Sequence, residues 1–307
     1  MNFPFARISE ELFEQPLAYH PRKAEAFMRA FGPRVTGHSV TIVNGDGEAA
    51  HEAFANGRIE AGIIGDRLGR RYDRAGVRPF DMVGNVAIIP IEGTLVRKGG
   101  WVGADSGETS YQGLQVQISR AASNDDVKGV VFEVDSFGGQ VNGMFETASM
   151  IQTLSKAKPT IAILTDYAYS AAYCLASQTR QIIISEDGGA GSIGAMVMHA
   201  DFSGNLEQEG IKVTFIHSGK HKVDGNSFQA LPEDLRERLK ARVDGVRDRY
   251  AGMVGKARGG RLSKADALKT EARAFFAEES VDLGLVDAIG NPNEAFEAFA
   301  KSINGSK

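Results

Sequence analysis

The sequence is short of cysteine, of long apolar runs and of positive charge, and each shortage excludes a class of protein. Its single cysteine, Cys174, excludes an intrachain disulfide framework and a cysteine-based metal cluster, and fits a reducing compartment. The 35 basic residues are outnumbered by 39 acidic residues, so the formal net charge is −4. A chain with this balance has no global positive field with which to hold nucleic acid or an anionic membrane surface.

Hydrophobic residues are plentiful but never form a long run. They make up 42% of the 307 residues, which is ample for a buried core and excludes wholesale disorder. The best apolar run, 86–91, is broken by Pro90 and is far shorter than the ~20 residues that a membrane helix needs. Residues 1–14 carry three glutamates and lack the basic start and apolar stretch of a secretory signal. We therefore expect a cytoplasmic chain with no membrane partner.

The hydrophobic pattern divides the chain into three parts. Residues 1–84 are predicted to form a smaller N-terminal accessory region, with a short helix after Pro21 and a solvated connector at 65–78. Over residues 85–290, β-branched runs of strand length alternate with helical patterns, and residues 291–307 are predicted to be a C-terminal tail. Alternation of strands and helices implies crossover connections and a largely parallel sheet with flanking helices, which is an α/β fold.

The individual elements follow from the period and length of the apolar patterns. Strands are predicted at 86–91, 129–134, 160–164, 181–184, 195–198 and 212–216. Helices are predicted at 111–122, 144–154 and 171–179, and a long charged helix is predicted from Pro232 to about Lys256.

Three loops that follow predicted strands are candidates for chemistry, because ligands of such sheets bind beyond the carboxyl ends of the strands. Residues 135–139 end in a glycine pair, which lets a backbone N–H approach a ligand closely. Residues 166–172 place Ser170 at a helix start, where free N–H groups favour negative charge, although alone it is better interpreted as an N-cap. Residues 217–225 form a basic loop that alone indicates a solvated surface, and its two histidines lack the further ligands of a metal site.

Taken together, these segments resemble the S49 (signal peptide peptidase A) family of Ser–Lys peptidases, and within it the bacteriophage head-maturation proteases. The resemblance covers Val86 to Gly290 and rests on the order of several motifs. These are VAIIPIEG at 86–93, DSFGG at 135–139, YSAAY at 169–173, GSIG at 191–194, SGKHK at 218–222 and GLVDAIG at 284–290. The phage branch is indicated by Thr109-Ser110-Tyr111 and by Ala-Ala after Ser170, where membrane-bound relatives usually have Gly-Gly. Phe137 departs from the family pattern, which has proline there.

The resemblance implies a crotonase/Clp-like spiral fold and a serine endopeptidase that uses a Ser–Lys dyad. Ser170 is implied as the nucleophile and Lys222 as its general base. The implied oxyanion donors are the N–H groups of Gly139, in preference to Gly138, and of Ala171. Ser192 is implied as a hydroxyl that orients the lysine amine, and no cofactor or metal is implied.

A lysine base places demands on its surroundings. A serine hydroxyl attacks well only when a base takes its proton, and lysine is a base only when it is neutral. The reference pKa of a lysine side chain is ~10.4, so a catalytic lysine needs burial and distance from carboxylates. We therefore expect Lys222 to be buried and Asp224 to point elsewhere.

The resemblance also implies substrates and partners. Phage relatives cut scaffold, portal or coat proteins, and often themselves, inside the procapsid in the host cytoplasm. They assemble into homo-oligomeric rings or domes and require no nucleic acid. Small residues around Ser170 favour a small side chain, such as Ala or Ser, on the acyl side of the scissile bond.

Alternatives to this interpretation stay open. Lys220 lies on the same face of an extended segment as Lys222, so alternation does not separate the two lysines. A Ser-His-Asp triad would use His199, His217 or His221, although Ser170 lacks the surrounding Gly-x-Ser-x-Gly elbow.

Three further alternatives change the function rather than the base. They are a soluble bacterial S49 peptidase, an acyl-CoA enzyme on the same fold, and a non-catalytic scaffold protein. Cys174 lies one helical turn after Ser170, and we expect it to be a packed core residue rather than a second nucleophile.

Overall fold

A central sheet and a smaller second sheet organise the chain in a computed structural model that describes residues 17–19, 65–99, 101–105 and 107–305. The helix predicted after Pro21 lies outside these residues. The strands are β1 (Leu17–Tyr19), β2 (Asp81–Val83), β3 (Val86–Glu92), β4 (Thr94–Val96), β5 (Ala104–Asp105), β6 (Glu108–Ser110), β7 (Gly129–Ser136), β8 (Gly138–Gln140), β9 (Thr160–Tyr169), β10 (Gln181–Ile184), β11 (Gly189–Gly191), β12 (Ala274–Phe276) and β13 (Ala288–Ile289). The helices are α1 (Arg67–Ala75), α2 (Tyr111–Ser123), α3 (Met144–Ala157), α4 (Ala171–Ala176), α5 (Ser203–Gln208), α6 (Glu233–Arg258), α7 (Lys264–Lys269), α8 (Ala277–Asp282) and α9 (Pro292–Asn304).

The central sheet runs in the order β12-β11-β9-β7-β3-β2, with β10 pairing β9 and β13. Its inner pairs are parallel, joining β3 to β7, β7 to β9, and β9 to β10 and β11. Parallel neighbours need crossover connections, and α2 and α3 lie in the connections before β7 and β9. The predicted α/β fold with a largely parallel sheet and flanking helices is confirmed.

Helices cover both faces of this sheet, which is why its strands are continuous apolar runs. On one face, Val130 and Phe132 of β7 belong to the large core that also holds Leu114 of α2. On the other face, Val131 packs with Phe299 of α9. Burial of each such side chain stabilises the fold by about 1.5–3 kcal/mol.

Segments on both sides of the predicted peptidase domain also pack on the central sheet. Strand β2 pairs antiparallel with β3, and α9, which lies in the predicted tail, covers one face. The boundaries predicted at residues 84 and 290 stay predictions. No helix of the described residues is long and apolar enough to span a membrane.

The stretch at 65–78, predicted to be a solvated connector, is mostly exposed, but the prediction missed that most of it is helix α1. Leu68 is fully buried, and Arg120 of α2 binds the carboxylates of Asp66 and Asp73 at 2.7 and 2.6 Å. The charge cluster is therefore the exposed face of a docked helix.

The strands predicted at 195–198 and 212–216 are wrong. Within residues 195–232, which we call the Lys222 segment and which the structure describes throughout, α5 is the one helix and no strand forms. Ile211, Val213 and Ile216 are 50%, 38% and 97% exposed. Met196 makes only an isolated bridge, and the run at 212–216 pairs with no described strand, without which a β-branched run does not become a strand.

The smaller sheet runs in the order β1-β8-β4-β6-β5 and brings β8 between β1 and β4. Leu95 of β4 is the parallel partner of Gly139 in β8. A Cβ on Gly139 would lie 1.9 Å from the Leu95 carbonyl oxygen, so this close approach requires glycine. The predicted glycine loop thus continues into a packed strand.

Candidate active site

Ser170 stands in a strained turn between β9 and α4. Its dihedral angles are φ 55° and ψ −120°, a region that residues other than glycine rarely occupy. Its N–H donates to the Gly191 carbonyl at 2.8 Å, and its own carbonyl accepts from the Cys174 N–H at 3.0 Å and from the Tyr250 hydroxyl. Strain of this kind persists where the surroundings fix it, and it concentrates at functional sites.

The side chain of Ser170 is buried but makes no hydrogen bond. The residue is 1% exposed, and its Oγ has no partner in the described chain. The alternative that Ser170 caps the following helix is wrong, because the hydroxyl makes no capping bond and a cap needs β-region dihedral angles. A buried hydroxyl left without a partner costs about 1–3 kcal/mol, so its presence calls for a functional explanation.

The glycine loop lies directly against this turn. A Cβ placed on Gly138 would be 3.0 Å from the Ser170 Cβ and 3.1 Å from the backbone nitrogen of Ala171. The Gly138 N–H donates to Ser136 Oγ at 3.1 Å, and that hydroxyl donates to the Gly93 carbonyl at 2.6 Å. The Gly138 donor is therefore engaged within its own loop, and the oxyanion role implied for Gly139 and Ala171 stays a prediction.

Three aromatic rings cluster beside the loop, and sequence reasoning did not find this cluster. The Phe137 ring lies 5.1 Å from the Tyr167 ring and 5.5 Å from the Tyr169 ring. The two tyrosines stack at 5.4 Å, and their spacing of two along β9 is the available signal because it puts them on one face. Ring packing therefore holds the loop where the family pattern has proline.

Lys222 is exposed, which contradicts the expectation that it is buried. The physical reason is that no strand forms in the Lys222 segment, and the part of the chain that the structure describes leaves this side chain uncovered. Asp224 points elsewhere as expected, binding His221 at 2.8 Å and Arg238 at 3.0 Å. Lys220 is exposed as well, so burial does not separate the two lysines.

Ser192, the residue implied to orient the lysine amine, stands in a second strained turn. Its φ is 56°, and it is 5% exposed. Its N–H donates to the Arg273 carbonyl at 2.8 Å, which fixes the backbone beside β11. Its predicted role toward Lys222 stays a prediction.

The histidines weighed for a triad contact other groups. His199 Nε2 lies 3.0 Å from the Asn226 carbonyl oxygen, and His217 Nδ1 lies 3.1 Å from that of Gly219. His221 is paired with Asp224. Since Ser170 Oγ has no partner in the described chain, the structure brings no Ser-His-Asp triad together.

Buried side chains form the wall behind Ser170. Cys174 is fully buried, which confirms it as a core residue, and burial raises the pKa of its thiol and so disfavours a thiolate. Burial also raises the pKa of the Tyr250 hydroxyl on α6, which keeps it protonated as a donor to Ser170. The role of Tyr250 was missed because nothing local in the sequence links residues 80 positions apart.

Comparison with known proteins identifies the family. A family model, Peptidase family S49, matches residues 152–305. The chain belongs to peptidase family S49. Capsid assembly protease C of Escherichia phage lambda is 33% identical over 307 residues, which cover 100% of this chain and 67% of that protein. Head-tail preconnector protein GP5 of Enterobacteria phage P21 is 33% identical over 309 residues, with 100% of this chain and 59% of that protein covered.

Solved structures similar to this S49 chain include a protease and crotonase-type enzymes. The 1510-N membrane-bound stomatin-specific protease, as a mutant in complex with a substrate peptide, is 16% identical with a TM-score of 0.42, covering 70% of this chain and 80% of that chain. An enoyl-CoA hydratase from Shewanella pealeana is 13% identical with a TM-score of 0.43, covering 73% of this chain and 72% of that chain.

The last motif of the S49 resemblance, residues 284–290, is explained by packing. Asp287 binds Arg258 and Arg261, each at 2.8 Å, and accepts the Ile182 N–H at 2.7 Å. Burial raises the pKa of Asp287, but hydrogen bonds from Arg258 and neighbouring donors outweigh it and hold the pKa below its usual value. Asp287 of this motif thus joins α6 to β10, and α6 also contributes Tyr250, which bonds the Ser170 carbonyl.

A basic cleft of about 770 Å³ continues from the end of β8 in this S49 chain. Its walls include Arg97, Lys98, Arg242 and Arg249, and the Arg249 guanidinium lies 4.0 Å from the centre of the Phe145 ring. Sequence analysis did not find this cleft, because its cations come from two distant stretches of the chain, 97–98 and helix α6.

Proposed function

We propose that the chain is a serine endopeptidase that cuts scaffold and head proteins during phage capsid assembly, with Ser170 as nucleophile and Lys222 as general base. The observation that carries the proposal is the buried, unpartnered Ser170 hydroxyl, held in a strained turn against the glycine loop. The capsid context comes from the phage relatives, one of which is a capsid assembly protease. An acyl-CoA enzyme of crotonase type would use the oxyanion hole without a serine nucleophile, so it does not explain the buried hydroxyl.

The reaction proceeds in two halves. Ser170 Oγ attacks the carbonyl carbon of the substrate peptide while Lys222 takes its proton. The N–H groups of Gly139 and Ala171 stabilise the oxyanion, and a donor of this kind is typically worth about 10²–10³ in rate. The C–N bond then breaks, and Lys222 returns the proton to the leaving amine. Water, deprotonated by Lys222, hydrolyses the acyl-enzyme and frees Ser170.

Lys222 reaches Ser170 through assembly of the chain. In the single chain the lysine is exposed, and its segment also exposes Ile211, Ile216 and Phe228 at 50%, 97% and 44%. Apolar side chains exposed together favour contact with another protein surface, and here that surface is a second copy in a ring or dome. Covering the segment buries Lys222, and Ser192 then orients its amine.

Substrates bind as extended chains along β8. The backbone of Gly138 lies against Ser170, and Ala171 and Ala172 after it are fully buried, which favours a small side chain at the cleaved bond. A long peptide passes the basic cleft at the end of β8, where acidic side chains of the substrate would be attracted.

The proposal is tested by incubating the purified chain with candidate coat, portal and scaffold proteins, beside Ser170→Ala, Lys222→Ala and Lys220→Ala variants. We expect site-specific cleavage by the wild type and by Lys220→Ala, and none by the other two variants. Product masses identify the cleaved bonds. Cleavage that survives Ser170→Ala, or that is lost in Lys220→Ala alone, contradicts the assigned dyad.

A further inference from the structure

A segment of the chain itself occupies the edge of β8 that β4 leaves open. Strand β1 pairs antiparallel with β8, so that Leu17 faces Gln140, Ala18 faces Gly139 and Tyr19 faces Gly138. Strand β1 is only three residues long and lies more than a hundred residues from β8 in the sequence. Its position is therefore set by the edge that it meets.

Ala18 brings a peptide carbonyl to the nucleophile turn. Its carbonyl oxygen lies 2.2 Å from the point where a Cβ on Gly138 would stand, and the Ser170 Cβ and Ala171 nitrogen lie 3.0 and 3.1 Å from that same point. Ala18 is fully buried and belongs to the large core. The Ala18 carbonyl, the Ser170 side chain and the Ala171 nitrogen therefore lie around the same point at Gly138, so that β1 covers the backbone beside Ser170.

A protein chain that binds to an exposed strand edge uses main-chain hydrogen bonds for affinity and side-chain pockets for specificity. At β8 only one edge is open to such a chain, because β4 takes the other. An extended peptide substrate and β1 would thus compete for the same hydrogen-bonding groups and the same space beside Ser170.

We propose that Leu17–Tyr19 is a built-in occupant of the peptide-binding strand, which blocks Ser170 until another extended chain displaces it. This inference rests on the proposed function, in which Ser170 is the nucleophile. The incoming chain must be extended and must place a small side chain where Ala18 now stands. Strand β1 thus keeps Ser170 covered until a substrate segment that can pair with β8 is present at high local concentration.

The test uses the full-length chain and the variant Ala18→Arg, whose long charged side chain does not fit a fully buried position. Ala18→Gly is the variant that retains the strand, and Ala75→Arg, at an exposed position in α1, is the matched control. The first readout is amide hydrogen exchange of the peptide that covers Leu17–Tyr19. The second is the rate at which a fluorophosphonate labels Ser170, with Ser170→Ala as the blank.

We expect slow exchange at Leu17–Tyr19 in the wild type, Ala18→Gly and Ala75→Arg, and fast exchange in Ala18→Arg. Labelling of Ser170 should be about tenfold faster in Ala18→Arg than in the wild type. This factor is expected when β1 is displaced in about a tenth of wild-type molecules and in nearly all molecules of the variant. Fast exchange in the wild type, or equal labelling of wild type and Ala18→Arg, overturns the occupancy. Absence of labelling in every variant counts against Ser170 as nucleophile, while the wild-type exchange rate still decides whether the strand is occupied.

Discussion

The surroundings of Ser170 and the Lys222 segment differ sharply in how well the described residues bury them. Around Ser170, every residue of α4 is buried, and the Ser170 backbone is fixed by hydrogen bonds with β11, with α4 and with the Tyr250 hydroxyl of α6. In the Lys222 segment, Lys222 is exposed, no strand forms, and Ile216 is 97% exposed. The core thus fixes Ser170 and the glycine loop, whereas the described residues leave the proposed base, Lys222, uncovered. This contrast makes separate predictions for the two regions.

Removing the Ser170 hydroxyl should have the largest effect on activity and a favourable effect on stability. Ser170→Ala should lower the cleavage rate by at least about 10⁴-fold, as loss of a nucleophile does. Because the Oγ is buried without a partner, its removal should raise the free energy of unfolding by about 1 kcal/mol. Peptide hydrolysis and denaturant unfolding measure the two effects. A less stable variant would mean that the hydroxyl has a structural partner.

Removing the base should affect activity alone. Lys222→Ala should lower the cleavage rate by about 10²–10⁴-fold, the usual contribution of a general base, with the free energy of unfolding within ~0.5 kcal/mol of the wild type. Lys220→Ala, two residues away and equally exposed, is the matched control and should retain activity.

The pH profile of the wild type examines the same assignment without a substitution. Cleavage that depends on a general base should increase with pH, with the fold monitored by circular dichroism. A flat profile from mildly acid to alkaline conditions, with the fold intact, would contradict a lysine base.

A charge on the apolar surface of the Lys222 segment should separate assembly from folding. Ile216→Asp should weaken association and lower activity about tenfold, the effect of ~1.4 kcal/mol lost at an interface. Its free energy of unfolding should not change, because the side chain is 97% exposed. Light scattering and cleavage assays measure these effects, and Val77→Asp, 54% exposed outside the segment, is the control. Equal activity of the two variants would argue against assembly through this surface.

The contrast between the two regions also explains which features could be predicted from the sequence. The strands at Val86, Gly129 and Thr160 were predictable, because burial on both faces leaves continuous apolar runs. The run at 212–216 has the same local pattern, but none of the described strands pairs with it, and a sequence pattern does not reveal whether a partner is present. Family motifs located Ser170 and the glycine loop. Lys222 was predicted to be buried, but among the described residues its side chain is exposed.

Contacts between residues far apart in the chain could not be predicted from the sequence either. Tyr250 bonds Ser170, and Arg258 bonds Asp287, but each pair joins separate elements with no shared local pattern. The pairing of β1 with β8 is of the same kind, because a three-residue strand carries almost no periodicity. Such contacts depend on how the elements dock, which local spacing does not encode.

Tyr250→Phe should have the smallest effect, because Ser170 keeps other contacts. The substitution removes one donor from the Ser170 carbonyl, which still accepts the Cys174 N–H at 3.0 Å. Loss of about 1 kcal/mol should lower both stability and kcat, the latter about fivefold, with KM unchanged. Tyr173→Phe is the matched control, since that equally buried hydroxyl donates to the Leu285 carbonyl at 2.7 Å. Both variants should lose similar stability, and only Tyr250→Phe should lose kcat, because only Tyr250 bonds the backbone of the nucleophile. An equal kcat in the two variants would make Tyr250 a packing residue without a role in positioning Ser170.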